Sequence, residues 1–546
     1  MTDANDRIKN GLAIALAACV AILILQGNGS LFYAGIVGIC FLLLMAAVSP
    51  WLGLLALYPL AFMLPPAPTS MGLPELTFVA LLAVIFIGTF VRVLRSSEIR
   101  SVGEFYFYPV LIGLVILCVN LAVAVNNNVP LVDWVRGVIP FLFLFTLLPI
   151  SVLVGSNESR IRWLGGSVVT LGFLVAGFVV FYYFYHRIWQ PYWLVSVNGE
   201  SVRISQEAAL DNLKAVGPMR DRITMLVAQA TDVFLPAGLV AGVVISTLAR
   251  SRIIALVGLL MSVVSMFAVL ITFTRSMLLS ALLVLVLFLV FVMHYRQALR
   301  VKVLTTLAAM SVLGFLFIFA TGMQEIWFGR MSLLMESGAE TVIEAVGPKL
   351  SISKLDVSNT GDAPAPEKVT TDFNVSSRLD EYRIAWKMFL SHPFLGNGLG
   401  AKHEMRWETS EGVSFTQFVA YVHNWPLYIL MVGGGVGLLI YGLVLLGPAL
   451  FRLSSIRSES SHWTVIRVTI LTMVVYGLFF AVFRLITFNL LLAAAWGTVF
   501  SQLLTRHQKT QGSVNNDNNS GRILHPVEAV LPGSESVNQK NAGASL

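Results

Sequence analysis

The chain has 546 residues, of which 57% are hydrophobic and only 12% charged, and its mean hydropathy is +0.80. This composition excludes an ordinary soluble domain, because so apolar a chain must place most of its residues in lipid. The net charge of +7 could suggest an anionic partner. However, the distribution of Lys and Arg expected for membrane topology explains much of that charge, so nucleic-acid binding gains no support.

Apolar runs long enough to cross a hydrocarbon core of ~30 Å recur along the whole chain. We predict an all-α fold, a polytopic membrane helix bundle of about fourteen transmembrane helices. The first seven lie near residues 11–26, 31–48, 51–64, 75–95, 106–125, 131–154 and 163–185. The other seven lie near residues 223–248, 252–273, 276–294, 301–321, 421–448, 464–484 and 486–504.

Basic residues occupy alternate turns, which indicates the orientation of the bundle because cytoplasmic turns are enriched in Lys and Arg. The turns at 27–30, 65–74 and 126–130 contain no Lys or Arg and are predicted to be external. Both termini are then cytoplasmic. The turns predicted to be cytoplasmic contain Arg92, Arg95, Arg100, Arg160, Arg162, Arg250, Arg252, Arg296, Arg300, Lys302, Arg452, Arg457 and Arg467.

The first apolar run follows Arg7 and Lys9 and lacks a small-residue cleavage site, so we interpret it as a retained helix and not as a signal peptide. All three cysteines lie within apolar spans, where a free Cys behaves as a small hydrophobe. We therefore expect no metal site and no cofactor. The sequence also lacks an Asp-x-Asp motif and a Walker A loop.

Two external segments, residues 186–222 and 322–420, are too long to be turns, and we expect function to reside there. The polar stretch 358–366 is predicted to be mobile. The predicted organisation is a transmembrane bundle with spans 1–11 at 1–321, a large helical external loop at 322–420, spans 12–14 at 421–505 and a disordered cytoplasmic tail at 506–546.

Residues 377–390 predict an amphipathic helix that lies on the outer membrane interface. Ser377 and Asp380 have the spacing of a capping box at its start. Arg378 and Arg383 lie on opposite margins of an apolar stripe. That stripe comprises Leu379, Tyr382, Trp386 and Phe389.

A glycine loop follows, with Gly396, Gly398 and Gly400 at alternate positions. Such a loop can present backbone N–H groups to an anion, but the same spacing is more typical of an ordinary turn. Taken alone, the spacing of these glycines favours an ordinary turn over an anion-binding loop.

His423 immediately precedes the twelfth predicted span, for which Asn424 is a candidate N-cap and Pro426 lies in the first turn. The positive end of the helix dipole favours a neutral imidazole at this position and also attracts a diphosphate. His423 is therefore a candidate general base. The alternative is an interfacial histidine that only hydrogen-bonds the backbone.

Arg275 lies in a tight external turn between the ninth and tenth spans, the side of the membrane where topology does not require an arginine. We favour a functional role over snorkelling to the headgroups. Arg484, at the external turn between the last two spans, and Arg136 are second-rank candidates. Asp133 and Arg136 could instead form an ordinary i, i+3 pair.

Taken in order, these motifs resemble the signature of the O-antigen ligase-like family over roughly residues 270–445. The motifs are the Thr-x-Thr-Arg-Ser turn at 272–276, Arg378, Tyr382, Pro393, Gly396, Gly398, His423-Asn424 and the apolar helix with Gly433 to Gly437. Two features depart from the family pattern: Tyr382 stands where a Trp is frequent, and fourteen spans exceed the usual twelve.

The resemblance implies a metal-independent enzyme of the bacterial inner membrane. It would transfer a glycan from an undecaprenyl diphosphate carrier to an acceptor hydroxyl at the periplasmic face. It implies diphosphate binding for Arg275 and Arg378, a catalytic role for His423, and second-rank site roles for Arg383, Arg136, Arg484 and Asn424. The implied partners are the carrier-linked donor, an acceptor that is either lipid A core or a second lipid-linked glycan, and membrane lipids, with no nucleic acid.

Three activities share this donor chemistry and are not separated by the residues: an O-antigen ligase, which we favour, a Wzy-type polymerase, and a protein O-glycosyltransferase. A glycan flippase or secondary transporter is the alternative from another class. Transporters place their substrate groups near the bilayer midplane, whereas the candidates here cluster at the outer face.

Overall fold

The computed structural model describes residues 2–25, 29–64, 73–95, 99–155, 157–185, 231–272, 274–324, 327–328, 373–408, 414–451 and 461–520. The predicted external segment 186–222, the polar stretch 358–366 and residues 521–546 of the predicted tail lie outside these ranges.

Within the described ranges, twelve helices precede the loop that is predicted at 322–420. They are α1 (Thr2–Ile24), α2 (Gly29–Val48), α3 (Pro50–Leu60), α4 (Leu73–Arg95), α5 (Ile99–Asn126), α6 (Leu131–Leu142), α7 (Leu147–Val154), α8 (Glu158–Tyr185), α9 (Thr231–Leu248), α10 (Arg252–Ile271), α11 (Arg275–Tyr295) and α12 (Arg300–Ala320). Short 3₁₀ turns at Ala61–Met63, Phe143–Thr146 and Gln297–Leu299 extend or connect them.

The remainder of the described chain consists of four helices and a hairpin. They are α13 (Phe373–Ser391), β1 (His403–Glu408), β2 (Ser414–Val419), α14 (Trp425–Leu450), α15 (Ser461–Tyr476) and α16 (Ile486–Ser520), with a 3₁₀ turn at Val482–Arg484. The strands pair antiparallel with His403 opposite Val419. Within the described residues, this hairpin is the departure from an otherwise all-helical chain.

Each predicted span corresponds to helix in the structure, which confirms the membrane helix bundle. Eleven helical segments of the described chain are long and apolar enough to cross a membrane, with α6 and α7 together forming one of them. Three predicted spans correspond to shorter helices: α3 with its 3₁₀ extension, α9, and α15, which ends at Tyr476 rather than near residue 484.

The core lies around α3 and α16. All of α3 from Gly53 to Leu60 is buried, and the Tyr58 hydroxyl donates to the carbonyl of Leu490 in α16 at 3.2 Å. Large apolar side chains remain exposed along α2, α5 and α12, which is how lipid-facing helices differ from the helices of soluble proteins. The bundle thus has a packed interior and an apolar exterior.

The last helix corrects the prediction of a disordered tail from residue 506, because α16 continues to Ser520. Adding residues to an existing helix costs far less than nucleating one, so a polar segment can extend a membrane-spanning helix beyond the apolar part.

Helix α14 is broken at Gly434, which has φ 63° and ψ −164°. Segment 393–398 inserts at this break, and four backbone hydrogen bonds of 2.8 to 3.2 Å join it to the helix. The bonds run from Asn397 to Met431, from Gly398 to Val432, from Gly435 to Pro393 and from Val436 to Phe394, donor first. Backbone groups freed by the break are thereby satisfied away from water, as a membrane-embedded helix requires.

Gly396, Gly398 and Gly400 all have positive φ, at 68°, 89° and 83°. A Cβ at Gly396 would lie 2.5 Å from the backbone nitrogen of Gly433, and one at Gly398 would lie 2.5 Å from the Cα of Ala124. The backbone N–H groups of residues 396–399 all donate to protein acceptors. The interpretation of the loop as an ordinary turn is confirmed, and its glycines permit close packing against α5 and α14.

Candidate active site

Helix α13 begins at Phe373, so the capping box predicted at Ser377 is wrong, and the helix starts four residues earlier. Its buried face is centred on Glu381 and Ala385, which are 2% and 0% exposed, and not on the predicted apolar stripe. Leu379 and Trp386 are instead exposed. At a membrane interface, apolar periodicity does not reveal which face meets protein, because the headgroup region also accepts apolar side chains.

Glu381 of α13 holds His423, which lies two residues before α14. Both carboxylate oxygens of Glu381 lie 3.0 Å from His423 Nδ1, and the backbone N–H of His423 donates to Oε2 at 3.3 Å. His423 is only 13% exposed. The ring is therefore fixed in position by one carboxylate that contacts both its side chain and its backbone.

This contact determines the tautomer of His423. An ionised carboxylate only accepts hydrogen bonds, so Nδ1 must carry the proton and Nε2 has the free lone pair. Among the described residues, Nε2 has no hydrogen-bond partner. The pair thus has the geometry of a base whose orientation is set by an acid.

Arg378, one helical turn before Glu381, completes the cluster. Its Nη1 lies 3.5 Å from Glu381 Oε2, a loose ion pair, and within the described structure this nitrogen forms no hydrogen bond. Burial raises the pKa of Glu381 to about 7, and the guanidinium opposes that rise. Burial also lowers the pKa of Arg378, while the carboxylate of Glu381 counteracts this change.

Tyr382 and Asn424 attach α13 to the start of α14. The Tyr382 hydroxyl donates to the carbonyls of His423 and Leu478, at 3.1 and 3.4 Å. Asn424 is the N-cap of α14, as predicted, because its Oδ1 accepts from the backbone N–H of Leu427 at 3.1 Å. Its Nδ2 also donates to Leu478. Tyr382, which stands where the family frequently has Trp, thus contributes a hydroxyl that positions the backbone of His423.

Aromatic rings surround His423 on its other sides. The rings of Tyr421 and Phe480 have centroids 4.9 and 5.8 Å from the imidazole centroid, both in edge-to-face arrangements. The guanidinium of Arg484 lies 4.9 Å from the centroid of the Tyr421 ring, a cation–π contact. Contacts therefore run without interruption from Arg378 through Glu381, His423 and Tyr421 to Arg484.

A cavity of about 220 Å³ opens beside Tyr421, and we call it the cationic cavity. Its charged lining groups are Asp133, Arg136, Lys402 and Arg484. Asp133 pairs with Lys402 at 2.8 Å and not with Arg136, so the i, i+3 pairing considered from the sequence is wrong. The structure thus brings two second-rank candidates, Arg136 and Arg484, into one cavity.

An apolar groove of about 590 Å³ lies on the other side of the glycine loop. Its walls come from the C-terminal end of α5 and from the segment between α13 and the loop, including Val119, Val123, Phe394 and Leu395. Phe394 is 78% exposed. The glycine loop therefore borders both cavities, through Gly400 in the charged cavity and Gly396 in the apolar groove.

Two candidates remain, Arg275 and Arg383. Arg275 is the first residue of α11, directly after a tight turn as predicted, and α11 packs against α9 and α15. Arg383 lies on the exposed face of α13, paired with Asp380 at 3.3 Å. The site roles assigned to both from the sequence stay predictions.

Sequence reasoning missed Glu381, Tyr421 and Lys402. The one local signal was a carboxylate three residues after Arg378, on the same helical face and at a membrane interface where unpaired charge is costly. His403 was also missed. It is buried, neither ring nitrogen has a partner within the described residues, and burial lowers its pKa to about 4.

Within the described ranges, no group of three or more His, Cys, Asp or Glu side chains is arranged to hold a metal ion. Independence from metal stays a prediction.

Residues 260–442 match the family model described as O-Antigen ligase. This confirms, for that part of the chain, the resemblance carried by the sequence motifs. The matched segment contains Arg275, Arg378, Glu381, Lys402 and His423, whereas Arg136 and Arg484 lie outside it. No curated protein sequence matches the chain.

Proposed function

From the O-antigen ligase domain at residues 260–442, we propose that this multi-pass membrane protein transfers a glycan from undecaprenyl diphosphate to an acceptor hydroxyl. We place the reaction at the periplasmic face of the bacterial inner membrane and the acceptor on lipid A core, as in an O-antigen ligase. The observation that carries the proposal is the fixed Glu381–His423 pair with Arg378 beside it.

In the proposed reaction, His423 Nε2 takes the proton of the acceptor hydroxyl, whose oxygen forms a new bond to the anomeric carbon of the donor sugar. The bond from that carbon to the diphosphate oxygen breaks, and undecaprenyl diphosphate leaves with the electron pair. Glu381 retains the tautomer that leaves Nε2 free and stabilises the imidazolium that forms.

The leaving diphosphate gains negative charge, which preorganised guanidinium groups can neutralise in a site partly shielded from water. Arg378 is half-buried with Nη1 lacking a hydrogen-bond partner among the described residues, and we assign it this role together with Arg275. The apolar groove beside Phe394 is suited to the isoprenoid chain of the donor. The second-rank residues Arg383, Arg136, Arg484 and Asn424 would act around this centre.

A transporter fits these observations less well. The cluster lies on a helix outside the spans and at the start of α14, whereas transporters bind substrate near the bilayer midplane. In vesicles, carrier-linked glycan that crosses the bilayer without a new glycosidic bond would favour transport over the proposed enzyme.

Deletion of the gene, followed by electrophoresis of the lipopolysaccharide, tests the proposed acceptor. A ligase predicts that lipid A loses all polymer while carrier-linked chains accumulate. Lipid A bearing single repeats would instead indicate a Wzy-type polymerase. Unchanged lipopolysaccharide would contradict both and direct the search to a protein or exopolysaccharide acceptor.

A further inference from the structure

The cationic cavity has more positive than negative charge. Among the described residues, three cations, Arg136, Lys402 and Arg484, line it together with one carboxylate, Asp133. Asp133 and Lys402 neutralise one another at 2.8 Å. The two arginines form no ion pair with any described residue, so the described lining carries two positive charges that no described carboxylate compensates. Such a cavity favours an anion.

Arg484 remains able to bind a ligand although it contacts Tyr421. A cation–π contact uses the face of the guanidinium, at 4.9 Å here, and leaves the N–H groups on its edge available to an acceptor. A planar fork of this kind suits a carboxylate or a phosphate.

The position of the cavity relative to His423 indicates which substrate it serves. Arg378 contacts Glu381 on one side of His423, and Arg484 contacts Tyr421 on the other. A general base in a transfer reaction lies between donor and acceptor. With the donor diphosphate at Arg378, the cavity lies on the acceptor side.

The lining also argues against the diphosphate. The carboxylate of Asp133, although paired with Lys402, can still accept hydrogen bonds from sugar hydroxyls, whereas an ionised diphosphate has no hydrogen to donate to it. The volume of about 220 Å³ is below the roughly 300 Å³ at which pockets for drug-sized ligands begin, so the cavity suits a single sugar.

We propose that the cationic cavity binds an acidic sugar of the acceptor glycan, one that bears a carboxylate or a phosphate, through Arg136 and Arg484. The inference rests on the proposed function, whose acceptor it specifies. Both arginines lie outside the segment 260–442 that matches the family model.

The test is binding to the full-length protein in nanodiscs, with a glucuronic-acid disaccharide as the probe and its carboxyl-reduced, neutral counterpart as the matched ligand. Wild type should prefer the acidic disaccharide by about 10-fold or more. Arg484→Gln and Arg136→Gln should each abolish most of this preference and leave binding of the neutral disaccharide unchanged. Lys387→Gln, which removes an exposed cation from α13, should retain the preference.

A second probe, geranyl diphosphate, separates failure of this inference from failure of the proposed function. Its binding should weaken in Arg378→Lys and remain unchanged in Arg484→Gln. Insensitivity to Arg378→Lys would contradict the proposed donor site alone. The inference is overturned if wild type binds both disaccharides equally, or if Arg484→Gln abolishes diphosphate binding, which would make the cavity a donor site.

Discussion

The chemistry that we propose for His423 depends on Glu381, a carboxylate that lies 42 positions earlier in the chain. A neutral imidazole can carry its proton on either nitrogen, and only one tautomer presents a lone pair to the acceptor. The contact of both carboxylate oxygens with Nδ1 selects that tautomer when Glu381 is ionised. The protonation state of Glu381 should therefore control the rate.

Glycan transfer should rise as pH rises through about 7. Burial raises the pKa of Glu381 to about 7, so below that pH the carboxyl is protonated and can donate to Nδ1, which places the imidazole proton on Nε2 and blocks the base. Above it, the ionised carboxylate restores the active tautomer. In Glu381→Gln, the rate should no longer rise with pH in this range. The rate should also fall by about 10²- to 10⁴-fold, which is the contribution of a general base.

The matched control is Asp380→Asn, which changes an exposed carboxylate on the same helix. It should retain both the wild-type rate and the rise of that rate with pH. A Glu381→Gln protein whose rate still rises with a midpoint near 7 would contradict this role.

Local patterns predicted part of the site. Asn424 was predicted as an N-cap because the cap and the N–H it satisfies lie three residues apart. Glu381 and Lys402 were not predicted, because the partner of Glu381, His423, lies 42 residues later in the chain and that of Lys402, Asp133, is on α6. Neither pairing leaves a periodic trace in the sequence.

At the scale of elements, the break in α14 at Gly434 joins the glycine loop to the helix that His423 precedes. The loop donates to two carbonyls of α14 and accepts from two of its N–H groups. Hydropathy predicted the helix correctly but not its break, because a broken helix remains apolar and the groups that satisfy it come from a different segment.

Gly434→Ala should destabilise the protein by roughly 1–3 kcal/mol or more. A Cβ would collide with the carbonyl group of Phe394, and the φ of 63° with ψ of −164° belongs to a region that is essentially restricted to glycine. Thermal unfolding in detergent measures the effect. Gly442→Ala in the same helix is the control, since nothing lies within 4 Å of a Cβ there, and it should be neutral or stabilising by up to ~1 kcal/mol. Equal melting temperatures for the two variants would contradict this prediction, because they would show that the backbone at the break shifts to accommodate a Cβ.

On the scale of the whole molecule, the apolar composition and the length of its runs were sufficient to predict the helix bundle. Apart from the break in α14, a helical span satisfies its backbone hydrogen bonds within itself, so its existence depends mainly on local sequence. Hydropathy does not determine where a helix ends: α13 begins earlier, α15 ends sooner and α16 continues further than predicted.

The proposed orientation places α13 and the start of α14 outside and the turn before α10 inside. In a protein whose native Cys19, Cys40 and Cys118 are replaced by Ser, Lys387→Cys should react with a membrane-impermeant maleimide in intact spheroplasts. Arg252→Cys, equally exposed in the structure, should react only after permeabilisation. The reverse pattern would place the site in the cytoplasm and contradict the periplasmic reaction.

The most direct measurement is glycan transfer by purified protein in detergent, supplied with carrier-linked donor and acceptor, for wild type and His423→Gln. The glutamine amide can still donate to Glu381, so the buried carboxylate retains a partner and the fold should persist, whereas no base remains. We predict a 10²- to 10⁴-fold loss of rate with an unchanged melting temperature. The control is His294→Gln, which changes an exposed histidine in the last turn of α11 and should transfer glycan at the wild-type rate. Near-normal transfer by His423→Gln would contradict the account.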